Sequence, residues 1–320
     1  MRKITLLLSF VVCAIFSQAQ LLVNENFNYA SGSGLIGQGG WAIVGTSTTN
    51  PITVSASTIT YSGYPSSGIG QELSILTTGQ DVTKAFTAQL TGTVYYSFIV
   101  NVQTAKSTYR GDYFIHLTET GSTSAFFARS FVKQVGAKIS FGLLTATGGT
   151  YSPTYSDAIY DLNTTYLIVI KLNVATAASS LIINPTISNT EPSTNWVANT
   201  TGGTTVPSVT AGIGGINIRQ GTDSIAPTLK LDGIRVATSW AGLFTTTALF
   251  TPKADVLEVN LKGNLLTVSN TSTSSVDVFN TLGSKVQTLK LVGGSAEINL
   301  PNGLYIARVG NQSAKIFLNN

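Results

Sequence analysis

Long runs of strict two-residue alternation are the feature that most constrains how this chain folds. In the run 94–102 (VYYSFIVNV), Tyr96, Phe98 and Val100 share one face, and the run 166–174 (YLIVIKLNV) repeats the pattern. A period of two is typical of a β-strand, in which successive side chains point to opposite faces, and does not fit a helix. Further runs of this kind occur at 113–117, 125–132, 138–144, 180–184, 215–219 and 229–238.

The segments between these runs carry turn signals rather than helix signals. Gly-rich clusters stand at 147–150 and 202–205, and such clusters mark turns. No stretch of twelve residues combines a helical period with capping residues. Only 10% of residues are charged, against roughly a quarter in an average globular chain. Many strands joined by polar turns predict two packed antiparallel sheets.

The length of 320 residues exceeds what one hydrophobic core usually supports, since single cores rarely grow beyond about 250–300 residues. The pattern changes near 251, after which shorter strand runs follow one another to the end. We therefore predict a large β domain over 20–243, a linker over 244–252 and a small domain over 253–320.

Several segments of the large domain resemble secreted bacterial domains of the concanavalin A-like, laminin-G-like jelly-roll type. They are ENFNY (25–29), Gly39-Gly40-Trp41, IINPTISNTEP (182–192) and the closing stretch 215–240. The resemblance implies an antiparallel jelly-roll β-sandwich in which the first and last strands pair, so that ENFNY lies beside KLDGIRV. It does not select a function, because this fold supports many.

A catalytic constellation is not evident. Glycoside hydrolysis needs two carboxylates about 5–10 Å apart, and the only close pair, Asp157 and Asp161, lies in a polar segment that reads as loop. The acidic motif of laminarinase-like glycosidases and the Arg-x-Glu-x-Arg pattern of alginate-lyase jelly rolls are absent from the sequence. His116 is the single histidine, and a lone histidine on a strand is more often a packing residue than a catalyst. We assign no catalytic residue.

Calcium is the metal that this composition allows, because its ligands are oxygens. Pairing of the terminal strands, as the resemblance implies, would bring Glu25 and Asp232 together as candidate ligands of a structural ion. The alternative is that both are ordinary edge-strand charges.

A sugar-binding surface is predicted where aromatic residues crowd a polar segment, because aromatic faces stack on sugar rings and amide or carboxylate groups bond the hydroxyls. The candidates are Tyr151, Tyr155, Tyr160 and Trp196. Plain loop packing is the alternative, whereas Trp41 and Trp240 read as packing residues near the domain termini.

The N-terminus has the form of a secretory signal peptide. Arg2 and Lys3 precede an apolar run, and small residues precede an expected cleavage between Ala19 and Gln20. The run is shorter than the roughly 20 residues that a membrane helix needs, so we expect no transmembrane span in the mature chain. The mature chain would keep 16 basic and 14 acidic residues; without a basic patch, nucleic acid is not an expected partner.

The last seventy residues closely resemble the C-terminal sorting domain of type IX secretion cargo, a family of exported Bacteroidetes proteins. The run GNLLTVSN, then VDVFNTLGSKV, then Gly-Leu-Tyr-Ile-Ala-Arg-Val and a Lys-bearing final strand follow the family's order, although Val259-Asn260-Leu261-Lys262 stands in place of the usual Pro-Asn-Pro opening. The resemblance implies a small immunoglobulin-like sandwich that is read by the outer-membrane translocon and its processing protease, with Gly303, Tyr305 and Lys315 in the segments concerned.

These observations predict an exported, cell-surface or secreted protein that binds polysaccharide without catalysis. Two alternatives stay open: a carbohydrate-active lyase or hydrolase on the jelly roll, and a structural adhesin with no small ligand, which the sparse charge and many Ser, Thr and Gly residues allow.

Overall fold

The structure is a computed structural model, and the prediction of an all-β chain is confirmed. Within the described residues there are twenty-two strands and one short helix. The chain separates into two compact units between Thr245 and Thr246. The described residues are 20–108, 110–146, 152–199, 203, 205–245, 258–269, 275–309 and 312–319.

The first unit contains fifteen strands and the helix. In chain order they are β1 (Leu21–Glu25), β2 (Trp41–Val44), β3 (Thr53–Val54), β4 (Leu73–Ile75), β5 (Asp81–Gln89), β6 (Thr93–Thr104), β7 (Asp112–Glu119), β8 (Phe126–Val135), β9 (Lys138–Leu144), β10 (Thr154–Tyr155), β11 (Thr165–Asn173), β12 (Ser179–Ile183), β13 (Val197–Asn199), β14 (Ile213–Ile218), β15 (Thr228–Ala237) and α1 (Trp240–Phe244).

These strands form two antiparallel sheets whose order departs strongly from the order in the chain, as in a jelly roll. One sheet runs β13-β12-β11-β6-β15-β4-β3, with β1 also paired to β15, and the other runs β10-β9-β8-β7-β14-β5-β2. The expected pairing of the first and last strands is confirmed, since Glu25 on β1 lies opposite Ile234 on β15.

The main core lies between the two sheets and follows from the alternation in the sequence. On β6, Tyr96 and Phe98 are fully buried in it, and Phe98 meets Phe114 of the facing sheet edge-on at a ring-centroid distance of 5.7 Å. The Tyr96 hydroxyl donates to the main-chain oxygen of Ala128, also on the facing sheet. Burial of each such side chain contributes about 1.5–3 kcal/mol, so the sandwich stands without disulfides.

The outward face of the eight-stranded sheet is also covered. The alternate residues of β6 and β11, among them Ile99 and Leu167, form a second apolar cluster with Tyr64, Trp240 and Phe244. The helix α1 is placed there by its N-cap, because the Ser239 hydroxyl accepts the Gly242 N–H at 3.1 Å.

The second unit is a small sandwich with its own core, which includes Leu266, Val278, Ala307 and Ile316. Its described strands form a three-stranded sheet, β16-β17-β20, and a four-stranded sheet, β19-β18-β21-β22. The strands are β16 (Glu258–Lys262), β17 (Leu265–Ser269), β18 (Ser275–Phe279), β19 (Lys285–Lys290), β20 (Ser295–Glu297), β21 (Gly303–Val309) and β22 (Gln312–Leu318). In the described part of the chain, no helix has the length and apolar character needed to span a membrane.

Candidate functional site

Three of the four predicted sugar-binding residues line one groove. Tyr155 and Tyr160 come from the segment after β9, and Trp196 comes from the turn before β13. The groove encloses about 490 Å³ and is also lined by Ser156, Asp157, Ile159, Ile183, Asn195 and Val197. We call it the aromatic groove. Tyr151, the fourth predicted residue, lies outside the described residues.

The Tyr155 ring packs against β9 at Gly142, where the lack of a side chain leaves room for the ring. Tyr155 pairs with Gly142 of β9, and a Cβ at that position would lie 2.6 Å from the Tyr155 ring. The ammonium group of Lys133 lies 4.1 Å from the ring centroid, and the hydroxyl donates to the main-chain oxygen of Arg110. Burial raises the pKa of Tyr155 above its usual value, so the phenol stays neutral and keeps its donor.

Tyr160 serves both the groove and the core. Its ring meets Phe141 and Tyr166 edge-on at centroid distances of 5.5 and 5.2 Å, and its backbone bridges to Ile139 of β9. One part of the ring therefore anchors the loop, while the half-buried remainder faces the groove.

Trp196 is fixed in orientation by three contacts. Its indole N–H donates to the Pro192 oxygen at 2.8 Å, the ring meets Trp240 edge-on at 5.9 Å, and the Lys171 ammonium lies 4.2 Å from its centroid. Lys171 is itself paired with Glu191 at 2.5 Å. A ring that is already ordered loses little entropy when a ligand stacks on it.

Exposed polar groups stand beside these rings. Asp157 and Asn195 are exposed and line the groove. Asn195 adopts a left-handed backbone conformation with φ of +67°, which asparagine tolerates better than most residues. The Asp157 carboxylate can accept hydrogen bonds from sugar hydroxyls, and the Asn195 amide can both donate to them and accept from them.

Glu25 and Asp232 do not form the shared calcium site that we expected. Glu25 faces the other sheet, where its carboxylate accepts the Trp41 indole N–H at 3.0 Å and the Lys84 ammonium at 2.7 Å. Asp232 lies on the opposite face of the strand and bonds Thr58 at 3.1 Å.

A β-bulge separates the two carboxylates. Asp232 of β15 pairs with Ile99 of β6, and Arg235 pairs with Ser97, so β15 advances by three residues where β6 advances by two. Gly233, within this bulge, adopts a left-handed φ of +59°. This extra residue turns Asp232 away from the face that Glu25 shares. Among the described residues, no group of three or more His, Cys, Asp or Glu side chains is placed to hold a metal ion.

The residues considered for acid–base chemistry have different surroundings. Asp157 lines the aromatic groove, whereas Asp161 is paired with Lys138 at 2.7 Å. His116 is buried, its ring centroid lies 4.4 Å from that of Phe126, and neither imidazole nitrogen has a hydrogen-bond partner. Burial, together with Arg129 and Arg219, holds the pKa of His116 well below its usual value, so the imidazole is neutral.

The three residues assigned to the sorting signal lie on the last two strands. Gly303 is the first residue of β21, and the Tyr305 hydroxyl donates to the Pro301 oxygen at 3.0 Å. Lys315 is exposed on β22 opposite Ile306. Ala19 lies outside the described residues, and Gln20 is the first of them.

Sequence reasoning missed a second cavity on the seven-stranded sheet. It encloses about 440 Å³ and is lined by three arginines, Arg110, Arg129 and Arg219, together with Asp112 and Tyr113. A signal was available, because Arg129 interrupts a largely apolar strand run and Arg219 stands at the end of another.

No protein-family model matches the chain, and no curated protein matches it. The solved structures that are similar to the chain have low identity to it and low TM-scores. A carbohydrate esterase of Shiga toxin-encoding bacteriophage phi24B is 13% identical, with 68% of this chain and 98% of that chain covered and a TM-score of 0.41. Domain 4 of an extracellular arabinanase from Geobacillus stearothermophilus, solved with arabinotriose, is 11% identical, with coverages of 71% and 99% and a TM-score of 0.40. The CBM2 module of the evolved Dit of Lactobacillus casei BL23 phage J-1 is 12% identical, with coverages of 69% and 96% and a TM-score of 0.39. At these scores the likeness carries no argument about ligands.

Proposed function

We propose that this chain is an exported, non-catalytic glycan-binding protein whose ligand lies in the aromatic groove. The observation that carries the proposal is the meeting of Tyr155, Tyr160 and Trp196, from two separate segments, along one groove with Asp157 and Asn195 at its side. Aromatic faces remove the apolar face of a sugar ring from water, and the polar groups pair with its hydroxyls.

The groove has the size and preorganisation that such binding needs. Its volume of about 490 Å³ falls within the range of roughly 300–1,000 Å³ that is typical of small-ligand sites. Tyr155 and Trp196 are each held by a hydrogen bond and a nearby lysine. A short stretch of a polysaccharide fits these properties better than a single small metabolite.

A panel of soluble polysaccharides in affinity gel electrophoresis tests the proposal. The mature chain should be retarded by at least one polysaccharide, and Trp196→Ala should lower the affinity at least tenfold, since an aromatic stacking contact contributes about 1.4 kcal/mol or more. Asp157→Ala should weaken the same interaction. Asp161→Ala is the matched control, because this exposed carboxylate of the same loop pairs with Lys138 and does not line the groove.

A wild-type protein that binds no polysaccharide would refute the proposal. Reducing-sugar release or the appearance of unsaturated products from the same panel would assign the chain to the carbohydrate-active enzymes instead. Binding without turnover distinguishes a binding module from both the enzyme and the adhesin.

For the route of export, we infer cleavage after Ala19 and recognition of the second unit by the type IX translocon. The support is the sequence pattern at each end of the chain, together with the compactness of the second unit. Deletion of 251–320 should leave the protein in the periplasm of a type IX host, and normal export of the truncated chain would contradict the assignment. Sequencing of the mature N-terminus should begin at Gln20.

A further inference from the structure

The arginine-lined cavity lies on the face of the seven-stranded sheet that points away from the main core. On β14, Ile216 and Ile218 are core residues, so Arg219, which follows them in alternation, points outward. On β9, Leu143 is a core residue and Leu144 lines the cavity by the same rule. We call this cavity the arginine pocket.

The arginine pocket is built around one tyrosine ring. The Arg219 guanidinium carbon lies 4.3 Å from the centroid of Tyr113, and that of Arg129 lies 5.2 Å away. These distances fit cation–π contacts. Phe131 packs on the same ring at 5.3 Å. The guanidinium groups are therefore ordered before any ligand arrives.

Positive charge predominates among the lining residues, which carry three guanidinium groups and one carboxylate. Asp112 pairs with Arg219 at 2.8 Å and also accepts the Tyr113 N–H at 2.9 Å. Arg129 is almost fully buried, with 5% of its surface exposed, and donates to the Ala146 oxygen at 2.8 Å. A guanidinium keeps its charge when buried, so the pocket favours an anion.

A second buried group points to the same region. His116 contacts Tyr113 with ring centroids 5.4 Å apart, and both of its nitrogens lack a partner. Burial lowers the pKa of this imidazole most, and the nearby Arg129 and Arg219 lower it further, so His116 is neutral and adds no charge of its own beside the pocket.

The arginine pocket and the aromatic groove share a wall. Tyr155 lines the groove, and its hydroxyl is bonded to the main-chain oxygen of Arg110, which lines the pocket. The ring lies on Gly142, two residues before Leu144 of the pocket. The two sites are therefore adjacent.

We infer that the arginine pocket binds the carboxylate of an acidic sugar, a hexuronate unit of the glycan that lies in the groove. A guanidinium fork matches a carboxylate in two parallel hydrogen bonds, and the partly exposed Pro153 and Ile225 supply apolar surface for the sugar. The inference rests on the proposed function only for the remainder of the glycan, because a hexuronate unit can be tested in the pocket alone.

Titration calorimetry with four oligosaccharide probes separates the two sites. The probes are galacturonate and mannuronate pentasaccharides and their carboxyl-reduced, neutral counterparts. At least one uronate pentasaccharide should bind more tightly than its reduced form, and added salt should weaken only the uronate, since screening acts on charge. A sulfated pentasaccharide that binds as well as the uronate, or equal affinity for uronate and reduced forms, would overturn the inference.

Two conservative variants should change the affinity for the uronate in opposite directions. Arg219→Lys keeps the ion pair with Asp112 but loses the fork, and should weaken uronate binding roughly tenfold. Asp112→Asn removes the competing carboxylate and should strengthen it. Melting curves monitor folding in both. If Arg219→Lys is folded and binds the uronate like wild type, the inference fails.

Failure of the two proposals can be distinguished. Trp196→Ala should weaken both the uronate and the neutral probes, whereas Arg219→Lys should leave the neutral probes unchanged. Binding of neutral probes without preference for uronate retains the groove and refutes the pocket. Uronate binding that is insensitive to Trp196→Ala retains the pocket and refutes the groove.

Discussion

Asp232→Asn should remove a loss of stability that the wild-type protein shows as the pH rises toward 8. Asp232 is fully buried on the outward face of β15, where its carboxyl accepts the Gly233 N–H at 2.7 Å and the Thr58 hydroxyl at 3.1 Å. Burial, which outweighs these two bonds, raises the pKa of this carboxyl from 3.8 to about 8. Glu72 and Glu25 add a smaller repulsion in the same direction.

The sign and size of the effect follow from proton linkage. In the unfolded chain Asp232 ionises near 3.8, while in the folded chain it stays protonated to about 8. Its contribution to stability is therefore fully present below the unfolded pKa and is lost as the pH rises through 8. The loss amounts to about 1.4 kcal/mol for each pH unit, or about 2 kcal/mol between pH 6.5 and pH 8.

Asparagine fits the same site without ionising. Its amide oxygen can accept the Gly233 N–H, and its NH₂ group can donate to the Thr58 hydroxyl, which is able to act as acceptor.

Urea unfolding of the first unit, followed by tryptophan fluorescence at several pH values from 6.5 to 9, measures the difference. The wild-type free energy of unfolding should fall from pH 6.5 to about pH 8 and then level off, and that of Asp232→Asn should stay level throughout. Asp157→Asn, at an exposed position, should keep the wild-type slope. A wild-type protein with no fall in stability, or a fall that Asp232→Asn retains, would refute the reasoning.

Three further predictions concern buried and close-packed positions. His116→Phe should be at least as stable as wild type at pH 7. Below pH 6.5 the wild-type protein should lose about 1.4 kcal/mol of stability per pH unit, because the folded imidazole resists protonation while the unfolded one accepts it, and the variant should not show this fall. Denaturation at pH 5 and 7 measures the difference, and an unchanged slope would contradict the prediction. Glu25→Ala should cost about 3–5 kcal/mol, since it leaves the half-buried Lys84 ammonium and the buried Trp41 N–H without their shared acceptor; a change in melting temperature like that of a surface variant would count against the prediction. Gly142→Ala should displace the Tyr155 ring, which a Cβ would approach to 2.6 Å, and should lower polysaccharide affinity more than it lowers the melting temperature; retained affinity would show that the ring position is not needed.

The sequence predicts the strands best where both faces are buried. The run 94–102 corresponds to β6 at Thr93–Thr104, and the run 138–144 coincides with β9, because alternation leaves no other conformation that buries both sets of side chains. Short edge strands such as β3 and β10 were not predicted. They contain two residues each, which is too few to show a period.

Which side chains meet is harder to predict than which segments extend. Glu25 and Asp232 lie on paired strands, yet one extra residue at Gly233 places them on opposite faces. Alternation alone cannot reveal a bulge of this kind, since glycine also occurs in ordinary turns. Tyr155 and Trp196 were grouped from composition and do share a groove, although what the groove binds stays a prediction.

The outward faces of the two sheets are covered differently, which explains where the arginine pocket lies. The eight-stranded sheet is covered outside as well as inside, because Tyr64, Trp240 and Phe244 pack on its outward face. The seven-stranded sheet instead carries polar groups outward on its middle strands, and these include Arg129, which is buried at a cost that only compensating contacts offset. Three guanidinium groups and one carboxylate line the same cavity, so an anionic ligand bound there would offset the excess of positive charge.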